Sequence, residues 1–348
     1  MLRFECDYGE GAHPKILERL LETNLEQTPG YGKDEHCERA KTLIRQACGL
    51  PQSTIEFVTG GTQANQIVIA AILKPYQGVV CADTGHINTH ETGAVEATGH
   101  KVLALPSKDG KITAQQIAKL CAAHWTDPSH EHTVQPGLVY LSQPTELGTL
   151  YTKAELKAIH QVCWQRHIPL YIDGVRCGYG LAAPENDVTL ADLAQLSDVF
   201  YIGGTKVGAL LGEAVVIPNL AIQRDFRYMV KRMGGMLAKG RLLGIQFEVL
   251  FEDGLYFQLG RQAVELARRI RDTFQTCGVE MAFDSPTNQQ FPVLTREQRE
   301  ALARKYSFNH WADLEDGRSV VRFCTSWATT PQAVEELCRD IHVICGQA

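Results

Sequence analysis

The sequence predicts an α/β protein: a mainly parallel, seven-stranded sheet domain followed by a small α+β C-terminal domain. Three observations lead there. Short apolar runs, IEFV, GVVCA, KVLAL, GLVYLS, IPLYID, VFYI and AVVI, recur between about residues 55 and 217, and near-continuous apolar strands belong in a sheet covered on both faces. Helical patterns separate them, the alternation of a parallel sheet wrapped by helices. After Pro218 the pattern changes to a long helical stretch, GGMLAKGRLLGIQFEVLFEDGLYFQLGRQAVELARRIRDTF, which leads the chain out of the sheet domain. The expected organisation is an N-terminal segment over 1–30, a large domain over 31–245 and a small domain over 246–348. With 348 residues, 44% of them hydrophobic, the chain can bury cores for two domains.

Local signals place the element ends. Thr113 with Gln116, and Thr152 with Glu155, have the capping-box spacing that satisfies open donors at a helix start. Thr295 to Gln298 marks another helix, and Thr330 with Pro331 starts the last one. VEMAFD and SVVRFCTS read as strands of the small domain, and TDPSHEHTVQPG as an exposed polar loop. A net charge of -6 with no basic stripe argues against nucleic acid or an anionic membrane as partner. No apolar run approaches a bilayer span, and MLRFECDYGEG lacks the order of a signal peptide, so the expected location is the cytoplasm. Eleven cysteines, odd in number, scattered and without C-x-x-C, read as reduced thiols, with Cys81 and Cys163 in the core.

Five places carry chemistry. GGTQANQ follows a strand and opens an apolar helix, so Gly61 and Thr62 present bare N–H groups and a hydroxyl where the helix dipole favours a phosphate. Gly-Gly-Thr also makes an ordinary turn, and the segment lacks both the G-x-G-x-x-G and P-loop patterns. Asp173 ends the run IPLYI, at the strand end where open α/β sheets bind ligands, although a cap or a partner for Arg176 is an equal reading. Lys206 ends VFYI, and the glycines around it make a turn that can expose its side chain beside a bulky ligand. A partly desolvated lysine becomes nucleophilic enough to form a Schiff base. Its competitor, Lys239, sits inside a helical pattern. An amine and an acid so placed are what pyridoxal phosphate (PLP) requires, the first to join its aldehyde and the second to keep its pyridine nitrogen protonated.

His86 follows another strand, where an imidazole can lie against a pyridine ring or shuttle a proton. His86 and His90 have the four-residue spacing of a metal pair on a helix, but Gly85 and Asn88 argue against a helix there and no further ligands accompany them, so no metal is expected. Arg322, on the apolar run SVVRFCTSW, has the bidentate shape to grip a carboxylate; an internal ion pair is the plainer alternative.

Together these segments resemble the threonine aldolase family (the beta-eliminating lyase/threonine aldolase group) of fold type I PLP-dependent enzymes, which have the aspartate aminotransferase fold. YGKD, GGTQANQ, HINTHETGA, YIDGVR, GTK, GGML and VRFCTSW look like that family's motifs in order and spacing. The resemblance implies a lyase that cleaves L-threonine or related β-hydroxy amino acids to glycine and an aldehyde. Lys206 would bond covalently to PLP, with Thr205 beside it. Asp173 would pair with the pyridine nitrogen, His86 would stack on the ring, Arg176 would contact the cofactor, and Gly61 and Thr62 would hold the phosphate. Arg322 would bind the substrate carboxylate. A homodimer or homotetramer with interfacial sites is implied, Tyr31 reaching a neighbouring subunit. Two segments depart from the pattern. SQPTELG puts Thr145 or Glu146 where the family has a histidine near the substrate hydroxyl, and CDYGEG puts Cys6 or Tyr8 where it has a serine near the substrate. His86 is the first choice of base, with His90, Glu91 and Glu146 as rivals. The departures keep open β-elimination on another β-substituted amino acid, and a PLP-binding protein without turnover.

Overall fold

A computed structural model describes residues 1–346 of the chain. After a short β1 (Leu2–Arg3), the seven apolar runs become the strands β2 (Thr54–Val58), β3 (Gln77–Ala82), β4 (Lys101–Leu105), β5 (Gln135–Ser142), β6 (Leu170–Asp173), β7 (Val199–Gly203) and β8 (Glu213–Ile217). They form one sheet in the order β2-β8-β7-β6-β5-β3-β4. Pairings from β7 across to β4 are parallel, while β8 runs antiparallel to both its neighbours. Side chains alternate between two cores, as a period of two requires. Val139, Leu141, Ile172 and Phe200 enter one, and Leu138, Tyr140, Tyr171 and Val199 the other.

Helices cover both faces: α1 (Pro14–Glu22), α2 (Glu35–Cys48), α3 (Gly61–Ile72), a single turn α4 (His86–Thr89), α5 (Ala114–Thr126), α6 (Lys153–Arg166), α7 (Cys177–Ala182), α8 (Leu190–Leu196) and α9 (Leu220–Arg232). The capping boxes at Thr113 and Thr152 form as expected, and a further one joins Thr189 to Asp192. α4 corrects the reading that Gly85 and Asn88 prevent a helix: Gly85 stands outside it as the cap residue, and the turn is too short to suffer from Asn88. The long helical stretch also divides, into α10 (Arg241–Glu252) and α11 (Leu255–Thr276), because Gly254 takes a left-handed conformation (φ 66°) between them.

β9 (Gln289–Gln290), β10 (Val293–Leu294) and β12 (Asn309–Asp313) all pair with β13 (Ser319–Cys324), whereas β11 (Tyr306–Ser307) pairs with β1. VEMAFD forms no strand of this sheet; it makes one bridge, Met281 to Pro292. α12 (Arg296–Ala303) and α13 (Pro331–Cys345) begin at the expected Thr295 and Thr330. α10 and the first half of α11, to Val264, bury side chains in the large-sheet core, and the small-domain core takes over at Leu266. The N-terminal segment serves both cores, Phe4 lying in the small one and Ala12 and Ile16 in the large one. No helix among the described residues is long and apolar enough to cross a membrane.

Candidate active site

β6 and β7 are neighbours, so Asp173 and Lys206 leave the sheet at the same end. The two strand ends approach so closely that a Cβ at Gly203 would lie 2.1 Å from the Val175 carbonyl oxygen, which explains why glycine stands there. Beyond them opens a cavity of about 660 Å³, lined by Lys206, Arg176, His86 and Glu146 from the large domain, by Arg322 and Trp311 from the small one, and by Tyr8 from the N-terminal segment. Burial, aided by the nearby Arg176 cation, lowers the Lys206 amine to about 8 against the pull of Asp7, Asp173 and Glu213. The Lys206 Nζ stands 5.4 Å from the centre of the Tyr8 ring. Its turn is held from below by Glu213, which accepts hydrogen bonds from Gly204 N–H (3.0 Å) and Thr205 Oγ1 (2.9 Å) and which burial raises to about 8.

Asp173 is buried and accepts hydrogen bonds from Tyr140 OH (2.6 Å), Val175 N–H (3.0 Å) and Asn65 Nδ2 (3.3 Å). His86 is held twice: its backbone N–H donates to Glu146 Oε1 at 2.8 Å, and its Nδ1 meets Glu91 Oε1 at 2.9 Å. Burial alone would lower the imidazole, but the Glu91 hydrogen bond and the Asp173, Glu91 and Glu146 charges raise it above the ordinary histidine value. Burial also raises the Glu146 carboxyl, despite hydrogen bonds from Ser142 Oγ (2.6 Å) and His86 N–H.

The start of α3 carries no side-chain cap, a feature it shares with α10 and α11. Gly60 occupies its cap position with no side-chain hydrogen bond, and a Cβ there would meet nothing within 4 Å. By contrast α2, α5, α6 and α13 are closed by Asp34, Thr113, Thr152 and Thr330. α3 reaches the buried acid Asp173 through Asn65, so an open helix start, an acid and a buried amine are available for a phosphate, a protonated ring nitrogen and an aldehyde. These residues fit PLP.

Residues 10–297 match the family model described as Beta-eliminating lyase. The chain belongs to that family. A low specificity L-threonine aldolase of Pseudomonas aeruginosa is 31% identical over 352 residues, 99% of this chain and 98% of that protein. A solved threonine aldolase structure from Leishmania major is 41% identical, covers 99% of this chain and 100% of its own, and superposes with a TM-score of 0.96. The histidinol-phosphate aminotransferase of Clostridium acetobutylicum, 11% identical with full coverage of both chains and a TM-score of 0.75, shares the fold alone. This beta-eliminating lyase family member is therefore an α/β protein of the PLP aminotransferase fold.

Of the residues read from the sequence, Lys206, His86, Arg176, Tyr8 and Arg322 line one cavity, and Glu146 joins them. Among the described residues Arg322 makes no internal ion pair, against its plainer reading. It donates to Gln289 Oε1 (3.1 Å) and the Glu5 carbonyl (3.3 Å), lies 5.3 Å from the Trp311 ring centre, and its Nε has no partner among the described residues. Thr145 is turned away, its hydroxyl 2.7 Å from that of Thr149, so Glu146 is the member of that pair facing the cavity. Thr205 turns its hydroxyl to Glu213. Tyr31 stays outside its own chain's cavity, 47% exposed and in a left-handed conformation (φ 62°).

Asp7 went unread in the sequence. It takes Arg176 Nε at 2.7 Å and Nη2 at 3.0 Å, and accepts from Asn288 Nδ2 at 2.9 Å, fully buried. Burial works to raise its carboxyl, yet the Arg176 and Lys206 cations hold it well below the carboxylate range. Much of the Arg176 guanidinium is thus committed to Asp7 rather than to a ligand. An acid so near the N-terminus next to tyrosine carries no periodic signal; its partner lies 169 positions away.

Proposed function

We propose that this family member is a PLP-dependent aldolase that splits the Cα–Cβ bond of L-threonine and related β-hydroxy amino acids, giving glycine and an aldehyde. Lys206 carries the reading: a buried amine, lowered to about 8, on a turn beside the buried acid Asp173. The names of the P. aeruginosa and L. major relatives support the substrate class.

In this reading Lys206 would hold the cofactor's aldehyde carbon, Asp173 its ring nitrogen, His86 its ring face, and Gly61 and Thr62 its phosphate, with Thr205 and Arg176 at the edges. PLP, when bound, supplies the sink for the electron pair released from the Cα–Cβ bond. Arg322 grips the substrate carboxylate with a planar fork and fixes the direction of the scissile bond. His86 takes the β-hydroxyl proton at Nε2, because Nδ1 is tied to Glu91. The oxygen's freed pair then forms the aldehyde carbonyl. Above pH about 8 Lys206 is neutral and reactive; below it, protonation removes the nucleophile, so cofactor loading slows as pH falls.

A second reading, β-elimination on another β-substituted amino acid, is favoured by Thr145 facing away from the cavity. Incubating the loaded protein with L-threonine separates the two. Glycine and aldehyde in equal amounts support the aldolase; ammonia with a keto acid supports elimination. Neither product would leave a binding protein without turnover.

The exposed Tyr31 and the uncovered Leu17, Leu21 and Leu25 support a homodimer or homotetramer in which Tyr31 serves a neighbour's pocket. The eleven cysteines are free thiols, most of them buried, which supports a cytoplasmic location.

A further inference from the structure

We propose that Asn65 is a positioning residue that ties Asp173 to His86 through Glu91. It lies on α3, fully buried, one turn beyond the open helix start. Its Nδ2 donates to Glu91 Oε1 at 2.7 Å and to Asp173 Oδ2 at 3.3 Å, and its Oδ1 accepts from Tyr171 OH at 2.7 Å. Ionised carboxylates only accept hydrogen bonds, so the two-donor end of the amide is the end that can face both acids, and the Tyr171 hydroxyl suits the other. The two N–H groups stand as a neutral bridge between like charges that otherwise repel.

Glu91 passes this constraint on. Its Oε1 meets both Asn65 Nδ2 and His86 Nδ1, while its Oε2 is buried with no partner among the described residues. The direction of the imidazole is therefore set by a carboxylate that Asn65 holds. A separate path secures the backbone of the same residue: Tyr140 OH donates to Asp173, Ser142 Oγ stands 3.3 Å from Tyr140 OH and donates its one proton to Glu146 at 2.6 Å, and His86 N–H donates to Glu146. His86 is thus linked to Asp173 through its ring and through its main chain. The charged and titratable groups around it are Glu91, Asp173 and Glu146, the His90 ring 5.7 Å away, and Lys206, Arg176, Arg322 and His310, which share its cavity. A cation placed against Asp173 changes the balance of this network, and Asn65 with Glu91 is the shorter of the two hydrogen-bonded routes from Asp173 to His86.

The inference rests on the proposed function only for what His86 does to a substrate; the linkage itself is testable without turnover. Histidine titration by NMR, on the protein with and without added PLP, reads it directly. In Asn65→Leu, Glu91 loses the donor that fixes it on Nδ1, so the His86 midpoint should fall by about one pH unit or more. Adding PLP should move that midpoint in the native protein and move it less in the variant. Tyr171→Phe and Asn65→Ser, gentler changes, should shift it the same way by less, and they carry the test if Asn65→Leu does not fold. A His86 midpoint unmoved in a folded variant, or an equal response to PLP, overturns the proposal. Failure of the aldolase reading looks different: no glycine from threonine, with the titration linkage intact.

Discussion

The cavity wall rising from the large sheet and the wall facing it are fastened in different ways. On the sheet side, Asp173, His86 and the Lys206 turn are each held by two or more hydrogen bonds from surrounding side chains and main chain. On the other side, the N-terminal segment crosses between the two cores and is tied to the large domain by the buried ion pair Asp7 to Arg176 and, further along, by His13 N–H to the Gly208 carbonyl at 2.8 Å. Arg322 there relies on Gln289, a carbonyl and the face of Trp311. Dense fastening suits groups that must meet a cofactor in one geometry. Unspent donor capacity on Arg322, whose Nε has no partner among the described residues, suits a group that completes its bonding with a substrate.

If the two walls do these separate jobs, substitutions on them should separate too. Asp7→Asn is expected to have the largest effect, because it leaves the Arg176 cation uncompensated in the interior; such losses cost about 3–5 kcal/mol. Chemical denaturation should show it. The sign with pH follows from the lowered Asp7 carboxyl: its contribution is full above the ordinary carboxylate range and is lost only as pH falls through the lowered value. Arg322→Gln should come next, raising KM roughly 10–100-fold, the equivalent of about 1.5–3 kcal/mol for charged hydrogen bonds, with cofactor affinity unchanged. Weakened cofactor binding in that variant would erase the distinction between the walls. Thr152→Ala, which opens the capping box of α6 outside the cavity lining, should cost about 1 kcal/mol in thermal unfolding and alter neither KM nor cofactor binding.

The same contrast explains what could be read in advance. The seven strands stood out because both of their faces are apolar, and the helix starts because Thr113, Thr152, Thr295 and Thr330 cap locally. Lys206, Asp173 and His86 were legible because each directly follows such a strand or ends it. The opposite wall is assembled from distant, locally featureless pieces. Asp7 meets Arg176 across 169 positions. Asn288, Gln289 and Gln290 are buried, although a polar run after a proline reads as an exposed loop. Trp311 gains its meaning from pairing of β12 with β13, which places its strand beside Arg322. Glu213 hid at the start of an apolar run, where an acid reads as a solvent-facing end rather than a support for the Lys206 turn. Asn65 was visible inside GGTQANQ, but its role depends on Glu91 and Asp173, which different strands deliver.

The most direct test of the central claim is to load the protein with PLP, fix the bond by borohydride reduction, digest, and find the modified peptide by mass. The added mass is expected on Lys206, with none on the Lys206→Ala protein. The same mass on Lys239, or modification that survives the substitution, would contradict it.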